Sequence, residues 1–184
     1  MADTLVNPTP RPTGRGAQSL AFVTGASSGI GQALAYRYYL AGWRLALVGR
    51  HPDALRAWAQ EQGWATERCQ VYSADVAMPD SVIAAAQTCI AQQGLPDLVL
   101  ASAGISIGMD TAERSDLAVM ARTFAVNNVG MAATFHAFIR PMRERGRGTL
   151  VGIASVAAVR GLPGHGAYCA SKAGVVSYCE SLRG

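Results

Sequence analysis

Three glycines at fixed spacing constrain this chain more than any other feature. The segment TGASSGIG, residues 24–31, follows a short apolar run (residues 19–24) and precedes a stretch with helical periodicity (residues 30–41). A strand that feeds a helix through such a turn leaves the first amide groups of the helix without partners. These groups, with the positive end of the helix dipole, form a ready site for an anion such as a pyrophosphate. Gly25 allows the tight turn, Gly29 lets the backbone approach phosphates, and Gly31 lets the helix pack closely on the strand. The spacing is GxxxGxG, which differs from the GxGxxG of the common dinucleotide fingerprint. An ordinary loop with structural glycines is the alternative.

Downstream, apolar runs at 44–48, 70–73, 98–102 and 149–154 read as strands. Between them lie helical patterns at 52–62 and 79–93, and a long one at 117–145 with a kink expected near Asn127 and Gly130. A last helix covers 167–182. The run LVLAS is continuously apolar, as a strand covered on both faces must be. Strands alternating with helices predict an α/β fold, a parallel sheet with right-handed crossovers and helices on both faces. Residues 1–18, rich in Pro, Thr, Gly and Arg, predict a disordered tail, and residues 19–184 a single nucleotide-binding domain. With 50% hydrophobic and 15% charged residues, a disordered chain is excluded. No apolar run approaches the roughly 20 residues of a membrane span.

The residue types that follow each strand suggest the ligand. After the second strand stand Gly49 and Arg50, where a carboxylate would select a ribose 2′-hydroxyl. The positive charge of Arg50 favours a 2′-phosphate, hence NADP(H), with NAD(H) as the alternative; Arg50 equally suits a solvated helix start. Asp75, just beyond the third strand, can accept a hydrogen bond from an adenine amino group, or serve as a turn or cap residue.

Of the 16 basic residues only one, Lys172, is Lys; the rest are Arg. Tyr168 precedes it by four residues on the last helix, so the two side chains share a face. A free phenol, with a pKa of about 10, is a poor acid–base catalyst at neutral pH. A neighbouring ammonium stabilises the phenolate and brings the phenol into use. Tyr168 thus suits the proton donor of a carbonyl reduction. Lys suits its position better than Arg because a compact ammonium can bond a ribose hydroxyl while facing the phenol. Ser155, after the fifth strand, is placed to polarise a substrate oxygen.

Taken together, these motifs resemble the short-chain dehydrogenase/reductase family. TGASSGIG is similar to its cofactor turn, Asp75 to its adenine contact, and Ser155, Tyr168 and Lys172 to its catalytic Ser and YxxxK pair. Asn127, in VNNVG, is similar to the Asn that helps hold a proton-relay water; Asn128 competes, but the Asn-x-x-Gly spacing to Gly130 favours Asn127. The family's NNAG motif stands here as ASAG, residues 101–104, which removes two side-chain amides. The resemblance implies a Rossmann-type doubly wound sheet and cofactor contacts at Gly25, Ser27, Ser28, Gly29, Ile30, Gly31, Arg50, Asp75, Val76, Ala103, Gly104, Tyr168 and Lys172. It implies an NADPH-preferring oxidoreductase that interconverts a small carbonyl and an alcohol, and a homo-oligomer by analogy.

The resemblance also implies two further strands, a helix and a substrate-covering segment beyond the last helix, so a C-terminally truncated family fold is expected. Its fifth strand would then be an unpaired apolar edge. A non-catalytic nucleotide-binding or interaction protein is the alternative reading.

The remaining features point to no other chemistry. Arg140, Arg143, Arg145 and Arg147 crowd around Pro141 and Gly146 and read as a solvated helix end, with a nucleic-acid patch as the weaker reading. Cys69, Cys89, Cys169 and Cys179 form no CxxC pair and read as small buried hydrophobes in a reducing, cytoplasmic compartment, with no metal site. His165, in the loop GLPGHG, could touch a polar substrate group or be a plain loop histidine, and residues 105–109 are expected to line the pocket.

Overall fold

A computed structural model describes residues 18–183. The tail expected over 1–18 therefore lies, apart from Gln18, outside the described residues. The chain alternates β1 (Leu20–Thr24), α1 (Gly29–Leu40), β2 (Arg44–Gly49), α2 (Pro52–Glu61), β3 (Cys69–Ser73), α3 (Pro79–Gln93) and β4 (Leu98–Ala101). It continues with α4 (Leu117–Phe124), α5 (Gly130–Arg145), β5 (Thr149–Gly152) and α6 (Gly166–Ser181). All strand pairs are parallel, in the order β3-β2-β1-β4-β5. Chain order reverses at β1: β2 and β3 build outward on one side, then the chain crosses to β4 on the other. Between the carboxyl ends of β1 and β4 lies the crevice where open α/β sheets bind ligands.

Alternation along β1 divides the core. Leu20 and Phe22 face the cluster formed with α3, α5 and α6, where Phe22 meets Phe138 edge to face at 4.9 Å. Ala21 and Val23 face the opposite cluster, with Leu45 and Leu47 of β2 and Leu55 of α2. Helices therefore cover both faces, and β1 and β4 are buried along their whole length, as their continuous hydrophobicity requires. Edge strand β5 differs. Among the described residues it pairs only with β4, and its Thr149 is exposed while Leu150, Val151 and Gly152 are half-buried.

Two expectations need correction. The basic cluster at the end of α5 is not simply solvated. Arg145 Nη1 donates to the Leu95 carbonyl at 2.9 Å, Nη2 donates to the Pro96 carbonyl, and Asp97 lies 3.6 Å away, so this side chain ties α5 to the loop before β4. Pro141 lies inside α5, which runs on to Arg145. Of the four cysteines only Cys69 and Cys89 are buried; Cys169 and Cys179 are half-buried. The kink expected in the long helix is a π-helical turn at Ala125–Val129 between α4 and α5.

Candidate active site

The first wall of the crevice is the glycine turn. Gly25 has φ +67°, and a Cβ there would stand 2.6 Å from the Ala103 amide nitrogen, so the turn lies directly against the end of β4. At Gly31 a Cβ would run into the Gly25 carbonyl; the absence of a side chain sets the close packing of α1 on the turn. Ser28 is the N-cap of α1 in extended conformation, and its side chain makes no capping hydrogen bond. The N-terminal amides of α1 therefore face the crevice without an internal partner. Gly31 acts from behind the wall, whereas Gly25, Ser27, Ser28, Gly29 and Ile30 line it.

The second wall comes from β2 and β3. Arg50 is exposed, lines the crevice and has no ion-pair partner among the described residues. Asp75 performs the turn role foreseen as its alternative: its Oδ1 accepts from the Ala77 amide at 3.0 Å, and its own amide donates to Ser81 Oγ at 3.2 Å. Its Oδ2 has no hydrogen bond among the described residues, and the carboxylate still borders the crevice. The α5 backbone presses on this turn, since a Cβ at Gly130 would stand 2.6 Å from the Val76 carbonyl oxygen.

The third wall carries Tyr168 and Lys172. Lys172 is 6% exposed, its Nζ donates to the Ile153 carbonyl at 2.7 Å, and it stands 5.7 Å from the Tyr168 ring centroid. Burial pushes its ammonium below the usual Lys pKa. Asn127, 2% exposed, sits in the π-helical turn. Its Oδ1 accepts from the Ile105 amide at 2.8 Å, and its Nδ2 donates to the Ile105 carbonyl and to Ser171 Oγ, both at 2.9 Å. The neighbouring Asn128 donates to the Ser171 carbonyl at 2.8 Å. Both asparagines thus clasp α6 just before Lys172, and Asn127 alone also holds the loop after β4. At Gly104 a Cβ would be 3.3 Å from Asn127 Oδ1 and 3.4 Å from Lys172 Nζ, so this bare backbone is the floor between them.

The walls enclose one open cleft of about 510 Å³ that contains Gly25, Arg50, Asp75, Gly104, Tyr168 and Lys172 together. Besides Gly31, two of the expected catalytic residues stand outside its lining. Asn127 is behind it, represented by its neighbour Val126. Ser155 caps a short 3-10 turn and accepts from the Ala157 amide at 3.2 Å; Ile153 and Ala154 form the lining there. His165 and Met109 are also outside it, although the Met109 amide donates to the Gly164 carbonyl at 2.8 Å, joining the two loops. Among the lining residues not singled out from the sequence, the one charged side chain is Arg122, on α4. Its only sequence signal is its place four residues before Val126, on the same helical face.

A dinucleotide fits this donor set. Helix-terminal amides and Arg50 would meet phosphates, bare glycine backbone would meet the closest-approaching groups, and Asp75 Oδ2 would accept from the base. The fold is a parallel α/β sheet, with the glycine turn, Arg50 and Asp75 at one end of the cleft and Tyr168 and Lys172 at the other. Comparison with known proteins gives its class: a family model described as short chain dehydrogenase matches residues 19–184. The chain belongs to this family of oxidoreductases. An uncharacterized oxidoreductase from Myxococcus xanthus is 39% identical over 163 residues, covering 89% of this chain and 64% of that protein. A D-threitol dehydrogenase from Mycolicibacterium smegmatis is 38% identical, covering 89% and 62%. Among solved structures, a short-chain dehydrogenase from Streptomyces avermitilis superposes with a TM-score of 0.83 at 28% identity, covering 90% of this chain and 60% of that one. An alcohol dehydrogenase from Thermococcus sibiricus, complexed with 5-hydroxy-NADP, gives 0.81 at 27%, covering 91% and 71%. The chain spans less than two thirds of the length of these two curated relatives.

Proposed function

We propose that the protein is an NADPH-preferring oxidoreductase that interconverts a small carbonyl and the corresponding alcohol. The observation that carries this reading is the buried Lys172 ammonium 5.7 Å from the Tyr168 ring, in the same cleft as the glycine turn. A bound nicotinamide cofactor supplies or accepts the hydride. Tyr168 gives the proton to the carbonyl oxygen or takes it from the alcohol. Lys172 holds positive charge beside the phenol and presents its remaining donors to a ribose. Asn127 fixes the π-helical turn, whose departure from α-helical bonding frees backbone carbonyl capacity for a relay water. Ser155 polarises the substrate oxygen once its loop turns the hydroxyl inward. Arg50 favours the 2′-phosphate, and four free thiols fit a reducing, cytoplasmic setting. Exposed Leu117 (57%) and Val129 (50%) on the α4–α5 side support a homo-oligomer.

One observation favours a second reading, in which the chain binds nucleotide without turnover: Ser155 Oγ is engaged with Ala157 and absent from the cleft lining. Titration of the chain with NADPH and NADH, followed by hydride transfer to a panel of aldehydes and ketones, separates the two. The first reading expects tighter NADPH binding, turnover that Tyr168→Phe abolishes, and a preference that Arg50→Asp moves towards NADH. Binding without turnover on any carbonyl establishes the second reading. Binding of neither nucleotide refutes both.

A further inference from the structure

Among the charged residues of the lining, Arg50, Asp75 and Lys172 already have roles in phosphate, base or proton handling, but Arg122 has none. Most described arginines near other elements are committed. Arg44 donates to the Gln18 and Gln93 carbonyls, Arg68 to the Tyr39 and Trp43 carbonyls, and Arg145 to the Leu95 and Pro96 carbonyls. Arg56 and Arg140 pair with carboxylates on their own helices. Arg122 has no hydrogen-bond or ion-pair partner among the described residues. Only it and Arg50 combine that state with a place in the cleft lining.

The two arginines come from different walls. Arg50 follows β2, and Arg122 belongs to α4. Val126, one turn on, lines the same cleft, so the face of α4 that bears Arg122 points inward. The tight Gly130–Val76 contact fixes the start of α5 against the Asp75 turn. Arg122 lies eight residues, about 12 Å of helix, before that contact, exposed in the lining of the cleft. Of the charged groups in the lining, Arg50, Arg122 and Lys172 are cationic, and Asp75 alone is anionic with one oxygen already engaged. A cleft with that balance is built for a ligand with several negative charges.

We propose that Arg122 binds a phosphate of the dinucleotide from the α4 wall, opposite Arg50, and so closes the cleft over its ligand. The inference rests on the dinucleotide-binding reading above. Its planar guanidinium offers two parallel donors to phosphate oxygens, which Lys at the same position cannot reproduce. Both sources of phosphate, the pyrophosphate and the 2′-phosphate, carry this chemistry.

The test is fluorescence titration of NADPH and NADH, without substrate, against the unmodified chain, Arg122→Ala, Arg122→Lys and Arg114→Ala. Arg114 is exposed, precedes α4 and is absent from the lining, so its variant controls for loss of a positive charge alone. Arg122→Ala is expected to weaken NADPH binding about tenfold, with partial recovery in Arg122→Lys and no change in Arg114→Ala. The loss should shrink at about 0.5 M salt, since the contact is exposed at one side. Equal weakening of NADH assigns the contact to the pyrophosphate, and weakening of NADPH alone assigns it to the 2′-phosphate; either upholds the inference. Unchanged affinity of Arg122→Ala for both nucleotides overturns it, as does equal weakening by Arg114→Ala. If the unmodified chain binds neither nucleotide, the dinucleotide reading itself falls and the inference with it.

Discussion

Asn127→Ala is the substitution that most directly tests how the two ends of the cleft are held together. The side chain is buried and makes three hydrogen bonds, two to the backbone of Ile105 and one to Ser171 Oγ. Each contributes about 1 kcal/mol net, and truncation leaves the half-buried Ile105 amide and carbonyl without their side-chain partner. The expected loss is therefore about 3 kcal/mol or somewhat more, a large fraction of the 5–15 kcal/mol typical of a whole domain. For a chain of this size that corresponds to a melting temperature about 6–12 °C lower. Ser171→Ala is the graded control. It removes one acceptor from Asn127 and one donor to the Tyr168 carbonyl, which is also at hand for the helix itself. It should therefore cost about 1 kcal/mol. The measurements are thermal and urea unfolding of the three proteins, with amide exchange followed at Ile105. In Asn127→Ala the Ile105 amide loses its acceptor and should exchange faster than the neighbouring strand β4, beyond the change explained by global stability. If Asn127→Ala melts no lower than Ser171→Ala, or Ile105 exchange is unchanged, the asparagine is not the clasp described here.

Two further predictions follow from close packing and from buried thiols. Gly31→Ala should lower the melting temperature and abolish nucleotide binding, because its Cβ must displace the Gly25 carbonyl; Gly161→Ala, with open space around it, should do neither, and equal effects in calorimetry and titration would refute the argument. Burial holds the Cys69 and Cys89 thiols up at about 12, so they contribute stability below the ordinary thiol pKa that is lost as pH rises from about 9 towards 12. Lys172 opposes this, since its lowered pKa lets the unfolded chain bind more protons up to the ordinary Lys value, but two large thiol shifts outweigh one lysine. Urea midpoints should therefore fall between about pH 8.5 and 10.5 and flatten in Cys69→Ala/Cys89→Ala; a rising midpoint in the unmodified chain would refute this balance.

Those elements whose determinants are local could be read from the sequence. The turn at residues 24–31 was legible because each glycine answers a local steric demand, and β4 because burial on both faces leaves an uninterrupted apolar run. Tyr168 and Lys172 were legible as a pair because helical spacing fixes their common face. What depends on distant parts of the chain was not. Arg145 reads as one more charge at a helix end, since its partners, the carbonyls of Leu95 and Pro96, are about fifty residues away. Asp75 carried two readings, and the structure uses one oxygen for the turn while leaving the other at the cleft. The kink near Asn127 was expected, but the hydrogen bonds that make it necessary, to Ile105 and Ser171, come from the loop after β4 and from α6. Arg122 has no motif around it and becomes informative only when α4 is laid along the cleft.

The strand order explains why the clasp at Asn127 matters for chemistry as well as stability. Since chain order reverses at β1, the Arg50–Asp75 end of the cleft is built from β1, β2 and β3, and the Tyr168–Lys172 end from β4, β5 and α6. No strand belongs to both ends except through the β1–β4 pairing, where Thr24 lies beside Ala101. That pairing fixes the floor but cannot fix α6, which packs above the sheet beside an edge strand held on one side only. The side-chain contacts that tie α6 to the floor's loop run from Ser171 through Asn127 to Ile105, and Lys172 adds its bond to the Ile153 carbonyl. On the proposed function a dinucleotide would span both ends, and its hydride-bearing ring would meet Tyr168 only if α6 keeps its place relative to the glycine turn. Loosening the clasp should therefore reduce turnover more steeply than affinity for the adenosine half alone, which is held by the other three strands.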